Sequence, residues 1–298
     1  MILEDLSPLP LAVVSPVVAI VIHVFYEDVF VEILEQLKNS DALPMKLYVT
    51  TTPENEKGIQ KLLVSQPCDF LLRVVENRGR DVLPFMKIMP DVIGAGHQFL
   101  VKIHTKKSLH RNNGKEWRRD MFSSLIGGSA TVNAIRFLGD NPHIGILGPA
   151  GHLVSMGYFF GCNKARVTHF ASRMGVEPGE LSGLSFVAGS MFVARVDALV
   201  PLLNLAISAS DFEPELGQVD GTLAHAIERL FSVSVYSVNL STTCADNVAL
   251  TKYGFARARL AGRLGIILSF LSRRFATRLS PQFKDRIRKG FELLGIKL

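Results

Sequence analysis

Short apolar runs alternate along the chain with segments of helical periodicity. Residues 17–25, "VVAIVIHVF", are almost continuously apolar, which is typical of a strand that is buried on both faces. In residues 26–40, which follow, apolar side chains recur at the spacing of one helical face, at Phe30, Ile33, Leu34 and Leu37. The pattern therefore predicts a buried strand followed by an amphipathic helix.

The same alternation continues through most of the sequence. Further strands are predicted at residues 45–52, 70–77, 98–108, 144–151, 185–195 and 232–240. Helices are predicted at residues 53–66, 80–93, 116–128 and 219–231. Repeated strand–helix units of this kind predict an α/β fold, with a mainly parallel sheet covered by helices on both faces. We expect one domain over residues 1–246 and a basic helical appendage over residues 247–298.

The composition is that of a chain with a substantial core, since 48% of the residues are hydrophobic and the mean hydropathy is +0.25. Residues 1–6, "MILEDL", are acidic where a secretory signal carries positive charge, so we expect no signal peptide. Pro10 and Pro16 interrupt the apolar run near the N-terminus, which favours a buried strand over a membrane span. The three cysteines lie far apart, without zinc or thioredoxin spacing, and an odd number argues against a disulfide framework, which favours a reducing compartment.

Positive charge is concentrated at one end of the sequence. Residues 251–298 contain twelve Lys and Arg against two Asp and Glu, a net +10, so the overall +6 leaves −4 for residues 1–250. A nucleic-acid-binding protein more often spreads positive charge over its folded domain, so we expect no nucleic acid partner. Residues 255–274 show an amphipathic helical pattern whose arginines suit an anionic membrane surface. The alternative is a helix that packs on the domain or on a second subunit.

Two clusters of charged residues follow consecutive predicted strands. Their members are Arg78, Arg80 and Asp81 in "VENRGRDVLPF", and His104, Lys106 and Lys107 in "KIHTKKS". Ligands of open α/β sheets bind beyond the carboxyl ends of the strands, so we expect both clusters to meet at one edge. Arginine and lysine at such an edge suit an anionic ligand, most simply a diphosphate. The alternative is two solvated loops.

Familiar motifs of nucleotide binding and hydrolysis are missing from the sequence. It contains neither a GxxxxGK[ST] loop nor a GxGxxG after the first strand, and neither a GxSxG nor an HExxH. An anionic ligand would therefore have to be bound by other means than these phosphate loops.

Four segments occur together in one order: "ENRGRDVLPF", "KIHTKKS", "FVAGSMFVAR" and "DGTLAHAIERLF". In this combination the sequence resembles the rhamnan synthesis F family of polysaccharide-building glycosyltransferases, over residues 17–245. The resemblance implies a GT-A-like nucleotide-sugar fold and a role in bacterial surface polysaccharides such as O-antigen. It also implies transfer of rhamnose from dTDP-rhamnose to a lipid-linked glycan, with inversion. The alternatives are transfer of another hexose or deoxyhexose, and a non-catalytic module that binds glycan or lipid.

A lipid-linked acceptor and a basic tail together predict where the protein acts. We expect a cytoplasmic protein that lies peripherally on the inner face of the cytoplasmic membrane. The tail's arginines would then contact anionic headgroups.

The resemblance implies donor-site roles for residues in three segments. By similarity to the asparagine–glycine–arginine loop of related sugar transferases, the first set is Asn77, Arg78, Gly79, Arg80 and Asp81. Gly79 permits a positive φ or a close backbone approach. Gly189 and Ser190 would lie beside the transferring sugar. For Asp81 the alternative is a helix N-cap before "VLPFM".

GT-A enzymes usually carry an Asp-X-Asp at the end of the fourth strand, where a divalent metal bridges the diphosphate. This sequence has His104, Thr105 and Lys106 there instead. We expect no tightly bound cofactor and no metal site, because a lysine ammonium can neutralise a leaving diphosphate directly. The alternative is that His104 binds a phosphate, or a Mg²⁺ or Mn²⁺ ion with another partner.

Inverting transfer needs a carboxylate that accepts the proton of the acceptor hydroxyl. Asp220 lies nearest to the position where related enzymes keep this base, and Glu215 is the second candidate. The alternative for Asp220 is to cap the helix that follows. His225 and Trp117, the only tryptophan, are candidates for contact with the acceptor.

Overall fold

A computed structural model describes residues 17–40, 43–105, 107 and 114–245, with the side chains of residues 114–117 and 120 left aside. Lys106 and the predicted basic appendage, residues 247–298, lie outside the described residues. No helix in the described part of the chain is long and apolar enough to cross a membrane.

The described residues form a seven-stranded sheet in the order β3-β2-β1-β4-β8-β5-β9, and a separate two-stranded pair, β6-β7. The strands are β1 Val18–Val24, β2 Met45–Thr51, β3 Phe70–Val74, β4 Phe99–His104, β5 Ile144–Gly148, β6 Leu153–Ser155, β7 Ser185–Val187, β8 Phe192–Arg195 and β9 Ser241–Cys244. Strand β8 is antiparallel to both of its neighbours, whereas the other pairs in the large sheet are parallel. The predicted mainly parallel sheet is confirmed.

Helices cover both faces of this sheet. They are α1 Glu27–Lys38, α2 Glu56–Val64, α3 Val82–Gly94, α4 Gly114–Leu125, α5 Ala130–Asp140, α6 Met156–Phe159, α7 Lys164–Arg173, α8 Val200–Leu203 and α9 Leu223–Ser237. The central strand β1 is buried along its whole length, and its side chains alternate between two cores. Val18, Ile20 and Ile22 pack with α1, α2, α4 and α5. Ala19 and Val21 pack with α3, α7 and α9.

The prediction of one strand over residues 185–195 is wrong in detail. This segment contains β7 and β8, which belong to different sheets, and a turn separates them. Gly189 has φ +95° and Ser190 has φ +56°, so neither residue can continue an extended strand. Residues 130–140 and 164–173, for which no element was predicted, form helices α5 and α7.

The predicted strand at residues 232–240 is also wrong. Residues up to Ser237 continue helix α9, and the strand comes later, at Ser241–Cys244. Val233, Ser234 and Val235 are consecutive and buried, because this end of α9 is surrounded by protein rather than half exposed. Its apolar pattern is therefore continuous and resembles that of a buried strand.

Ser234 shows how this end of α9 is held. Its hydroxyl donates to the carbonyl oxygen of Ala198 at 2.9 Å and accepts from the backbone N–H of Leu202 at 3.1 Å. The N–H of Leu202 lies in the first turn of the short helix α8, where backbone N–H groups have no acceptor within the helix, and the Ser234 hydroxyl supplies that acceptor.

We therefore expect Ser234→Ala to destabilise the protein by about 1–3 kcal/mol, because a buried N–H and a buried carbonyl lose their partner. The matched control is Ser237→Ala, since the Ser237 hydroxyl donates to a carbonyl of its own helix, that of Ser234. Chemical denaturation of both variants measures the difference. Equal stability of the two variants would contradict this role of Ser234.

Candidate functional site

In the loop after β3, two consecutive residues have positive φ angles, a conformation that few residue types adopt. Gly79 has φ +65° and Arg80, the next residue, has φ +55°. A Cβ atom on Gly79 would lie 2.6 Å from Cβ of Leu83 and 2.6 Å from Cδ1 of Phe212. Glycine is therefore required at position 79 by both its backbone conformation and its surroundings.

A second loop, residues 209–222, packs against this one. The Arg78 guanidinium donates to the carbonyl oxygen of Ala209 at 3.1 Å. The backbone N–H of Arg80 donates to Oε1 of Glu215 at 3.1 Å, and its guanidinium donates to the carbonyl oxygen of Gln218. Both arginines are thus positioned by the loop that precedes α9.

Asp81 is bound by a buried lysine. Nζ of Lys102, on β4, lies 2.5 Å from Oδ2 of Asp81, and the lysine is 1% exposed. Asp81 occupies the N-cap position of α3, but its side chain makes no capping hydrogen bond. The alternative role of Asp81 as a side-chain cap is therefore wrong, because the ammonium of Lys102 is its partner instead.

The turn between β7 and β8 meets the same lysine. Lys102 also donates to the carbonyl oxygen of Ser190 at 2.8 Å and to its hydroxyl at 2.9 Å. Nε2 of His104 lies 3.0 Å from the carbonyl oxygen of Gly189 and 3.8 Å from Oδ1 of Asp81. The backbone N–H of Gly189 donates to Oε1 of Glu228, on α9, at 2.5 Å.

A row of polar side chains crosses the sheet beside this cluster. His23 on β1 is in register with Thr50 on β2 and with His104 on β4. Nδ1 of His23 lies 3.0 Å from the hydroxyl of Thr50. Burial lowers the pKa of His23 to about 4, although the nearby carboxylate of Asp81 opposes the shift. His23 is therefore neutral at physiological pH.

The structure thus joins four of the predicted donor-site residues through direct contacts, namely Asp81, His104, Gly189 and Ser190. Arg78, Gly79 and Arg80 belong to the loop that leads into Asp81, and the two arginines contact the loop of residues 209–222. Asn77 is exposed in the loop after β3. Lys107 lies apart and forms an ion pair with Asp28 on α1 at 2.6 Å. Trp117 lies in α4.

Asp220 connects the second loop to the start of α7. Its carboxylate accepts from the backbone N–H of Cys162 at 3.1 Å and from the side-chain amide of Asn163 at 2.6 Å. Burial by itself would raise the pKa of Asp220, but these hydrogen bonds outweigh it and hold the pKa below its usual value. Asp220 does not cap α9. Thr222 and His225 form the capping box of that helix.

The residues of this cluster do not suit a divalent metal of the kind GT-A enzymes use. The carboxylates near this edge already have partners: Asp81 accepts from the ammonium of Lys102, Glu215 from the backbone N–H of Arg80, and Glu228 from the backbone N–H of Gly189. Nowhere in the described residues do three His, Cys, Asp or Glu side chains group as metal ligands would. Where GT-A enzymes have their metal-binding Asp-X-Asp, this chain has His104, the last residue of β4, and Thr105. The Thr105 hydroxyl already accepts hydrogen bonds from the N–H groups of Phe25 and Tyr26.

Two residues of the cluster were not predicted, Lys102 and Glu228. A signal for Lys102 is present in the sequence, since "FLVKIH" places Leu100, Lys102 and His104 on one face of a strand that is otherwise apolar. A lysine in such a strand must find an anionic partner when the sheet is covered on both faces. No comparable signal marks Glu228, which lies in an ordinary helical pattern.

Comparison with known proteins agrees with the resemblance noted in the sequence. The model of the family described as rhamnan synthesis protein F matches residues 9–239. This chain belongs to the rhamnan synthesis protein F family. The match includes every element of the cluster, from β1 to α9.

Two relatives from Xanthomonas campestris pv. campestris, of strains B100 and ATCC 33913, are each named "Uncharacterized protein WxcX". Each is 35% identical to this family member over 239 residues, which is 80% of the chain. The chain spans 34% of the length of each relative.

A solved structure, the crystal structure of 4-diphosphocytidyl-2C-methyl-D-erythritol synthase, aligns with 86% of this chain and with 99% of its own. The TM-score is 0.38 and the sequence identity is 10%. The similarity is too low for an inference, so the fold of this rhamnan synthesis F protein is described from its own strands and helices.

We expect Gly79→Ala to destabilise the protein by more than the ~1 kcal/mol typical of a left-handed glycine, because its new methyl group also meets Leu83 and Phe212. The matched control is Gly96→Ala. Gly96 has φ +75°, but nothing lies within 4 Å of the added Cβ. Thermal unfolding of both variants separates backbone strain from steric overlap. Equal losses at the two positions would contradict the close packing of the loop.

Proposed function

We propose that this chain is a glycosyltransferase that transfers a sugar, rhamnose, from a nucleotide-sugar donor to a growing lipid-linked surface polysaccharide. Membership in the rhamnan synthesis protein F family supports the sugar and the polymer. The observation that carries the proposal is the meeting of the arginine-bearing loop after β3 with the Gly189–Ser190 turn, at the carboxyl edge of the sheet. Ligands of open α/β sheets bind at such an edge.

The donor's diphosphate would lie against the loop after β3. Arg78 and Arg80 each donate to a backbone carbonyl, and Arg80 also pairs with the carboxylate of Glu215 at 3.8 Å. A guanidinium has five N–H donors, more than these contacts use. Asn77 and Gly79 belong to the same loop. His104, at the end of β4, and Lys106, which follows it in the sequence, would complete this edge, and Lys107 would have to leave its ion pair with Asp28 to join them. The nucleotide in this proposal is dTDP, and the neutralisation is by side chains rather than by a metal.

The transferring sugar would lie beside Gly189 and Ser190, with the acceptor approaching from the second loop. Asp220 is the proposed base because it precedes α9. The hydrogen bonds from Cys162 and Asn163 outweigh the effect of burial and hold its pKa below the usual value, so the carboxylate is ionised but is a weaker proton acceptor than a free one. Glu215 is the second candidate and contacts the backbone of Arg80. His225 and Trp117 are proposed to contact the acceptor glycan.

The lipid carrier of the acceptor gives the basic tail a role in this proposal. Residues 247–298 would hold the domain, residues 1–246, at an anionic membrane surface on the cytoplasmic side. The proposal draws on the net +10 of residues 251–298.

We expect Arg80→Ala to lower the rate of rhamnose transfer from dTDP-rhamnose by ~100–1,000-fold, because the substitution removes a guanidinium whose N–H groups would stabilise the charge of the leaving diphosphate. Release of dTDP by the purified chain, with a rhamnan fragment as acceptor, measures the effect. Arg73→Ala is the matched control, since Arg73 forms an exposed ion pair with Asp91 on the surface. Normal transfer by folded Arg80→Ala would contradict the assignment, and no turnover by wild type would favour a non-catalytic module.

For the base, we expect Asp220→Asn to keep the hydrogen bond from Cys162 but to lose proton acceptance, so that transfer falls by at least ~100-fold while donor binding survives. Glu215→Gln is assayed in parallel, with Asp211→Asn as a control carboxylate in the same loop. Single-turnover transfer and donor binding are measured separately. Near-normal transfer in Asp220→Asn together with a collapse in Glu215→Gln would move the role to Glu215.

A further inference from the structure

Lys102 is a charged residue in the middle of the sheet, where charges are rarely found. Its ammonium has three N–H donors, and three oxygens lie within hydrogen-bond distance: Oδ2 of Asp81, and the carbonyl and hydroxyl oxygens of Ser190. Every donor of this lysine therefore has an acceptor inside the protein. Burial lowers its pKa, while the carboxylate of Asp81 opposes that shift.

Aromatic rings enclose the ammonium on its other sides. The ring centroids of Phe85, Phe231 and Phe192 lie 5.2, 5.4 and 6.0 Å from Nζ of Lys102. Rings at this distance attract a cation and also exclude water from it. Lys102 is 1% exposed, so the side chain cannot reach a ligand at the surface. Any effect on a ligand must pass through the groups that it holds.

Those groups belong to the two backbone segments that form the edge of the sheet. Asp81 follows Arg80, which has φ +55°, and Ser190 itself has φ +56°. Non-glycine residues keep a left-handed conformation only where surrounding contacts hold them in place. Lys102 makes such contacts with both segments at once, because its ammonium joins Asp81 to Ser190.

The same bond decides whether Asp81 can bind a metal ion. An ammonium and a divalent cation compete for the oxygens of a carboxylate, and Lys102 is tethered beside Asp81 at 2.5 Å. Nε2 of His104 lies 3.8 Å from Oδ1 of Asp81, so an imidazole and a carboxylate, two side chains that can bind metals, lie close together. The carboxylate, however, is already bonded to the ammonium of Lys102 through Oδ2.

We propose that Lys102 is a positioning residue of the donor site, an internal cation that joins Asp81 to the Gly189–Ser190 turn and excludes divalent metal from Asp81. It holds the loop after β3 and the β7–β8 turn in the geometry that receives a nucleoside diphosphate. This part of the inference rests on the proposed function. The exclusion of metal does not, because it follows from the contacts of Lys102 alone.

The first experiment measures Mn²⁺ binding by electron paramagnetic resonance, with wild type, Asp81→Asn and the double variant Lys102→Met/Asp81→Asn in the full chain. We expect all three proteins to bind Mn²⁺ equally weakly, because the carboxylate of Asp81 is occupied in wild type. Mn²⁺ binding by wild type that is lost both in Asp81→Asn and in the double variant, each shown to be folded by circular dichroism, would overturn the proposal. This comparison needs no nucleotide.

The second experiment measures binding of dTDP and UDP by calorimetry in the presence of EDTA. Lys102→Met alone leaves the carboxylate of Asp81 without its partner, so the folded comparison is the double variant Lys102→Met/Asp81→Asn, which removes both charges. We expect this variant to be folded by circular dichroism but to bind the nucleotide roughly 100-fold more weakly, because the two segments are no longer joined. Lys87→Met is the control, since Lys87 forms a surface ion pair with Glu76.

The outcomes separate the positioning role from a merely structural one. A folded double variant that binds nucleotide as tightly as wild type would overturn the positioning role, and so would wild-type binding that requires Mg²⁺ or Mn²⁺. Failure of wild type to bind either nucleotide would count against the proposed function, and the Mn²⁺ comparison would still decide whether the carboxylate of Asp81 binds a metal.

Discussion

The buried ammonium of Lys102 is the interaction on which the rest of the candidate site depends. A charge in the interior of a sheet loses its hydration, at a cost of several kcal/mol, and must recover that energy from partners inside the protein. The partners here are Asp81 and Ser190, which lie on different segments. One side chain on β4 therefore determines where the loop after β3 and the turn before β8 can lie.

A second layer of contacts surrounds this ion pair. The loop of residues 209–222 binds the two arginines of the first loop on one side, through Ala209 and Gln218. On its other side, Asp220 binds the backbone and side chain at residues 162 and 163. The edge of the sheet is thus built from four segments that are distant in sequence, and a change in one of them reaches the others through defined hydrogen bonds.

The charged residues of the sheet edge connect the family assignment with a possible chemistry of the site. In this member of the rhamnan synthesis protein F family, Arg78 and Arg80 lie at the sheet edge where ligands of α/β folds bind, and an internal lysine is bonded to the carboxylate of Asp81. Neutralisation by fixed cations suits a leaving diphosphate, because the charges are in place before the reaction begins. The proposed metal-independent transfer follows from that chemistry.

The sequence alone determined the α/β class and most strands and helices, because the periodicity of apolar residues reflects which faces are buried. It also indicated Arg80, Asp81 and His104, since charged residues at the ends of predicted parallel strands mark the sheet edge. It wrongly predicted a strand at Ser232–Ser237, because the consecutive buried residues up to Val235 remove the helical periodicity. The partner of Asp81 and the contact of Glu228 with Gly189 were decided only by the tertiary structure. Such pairings depend on which distant segments the fold brings together, and local sequence carries no record of them.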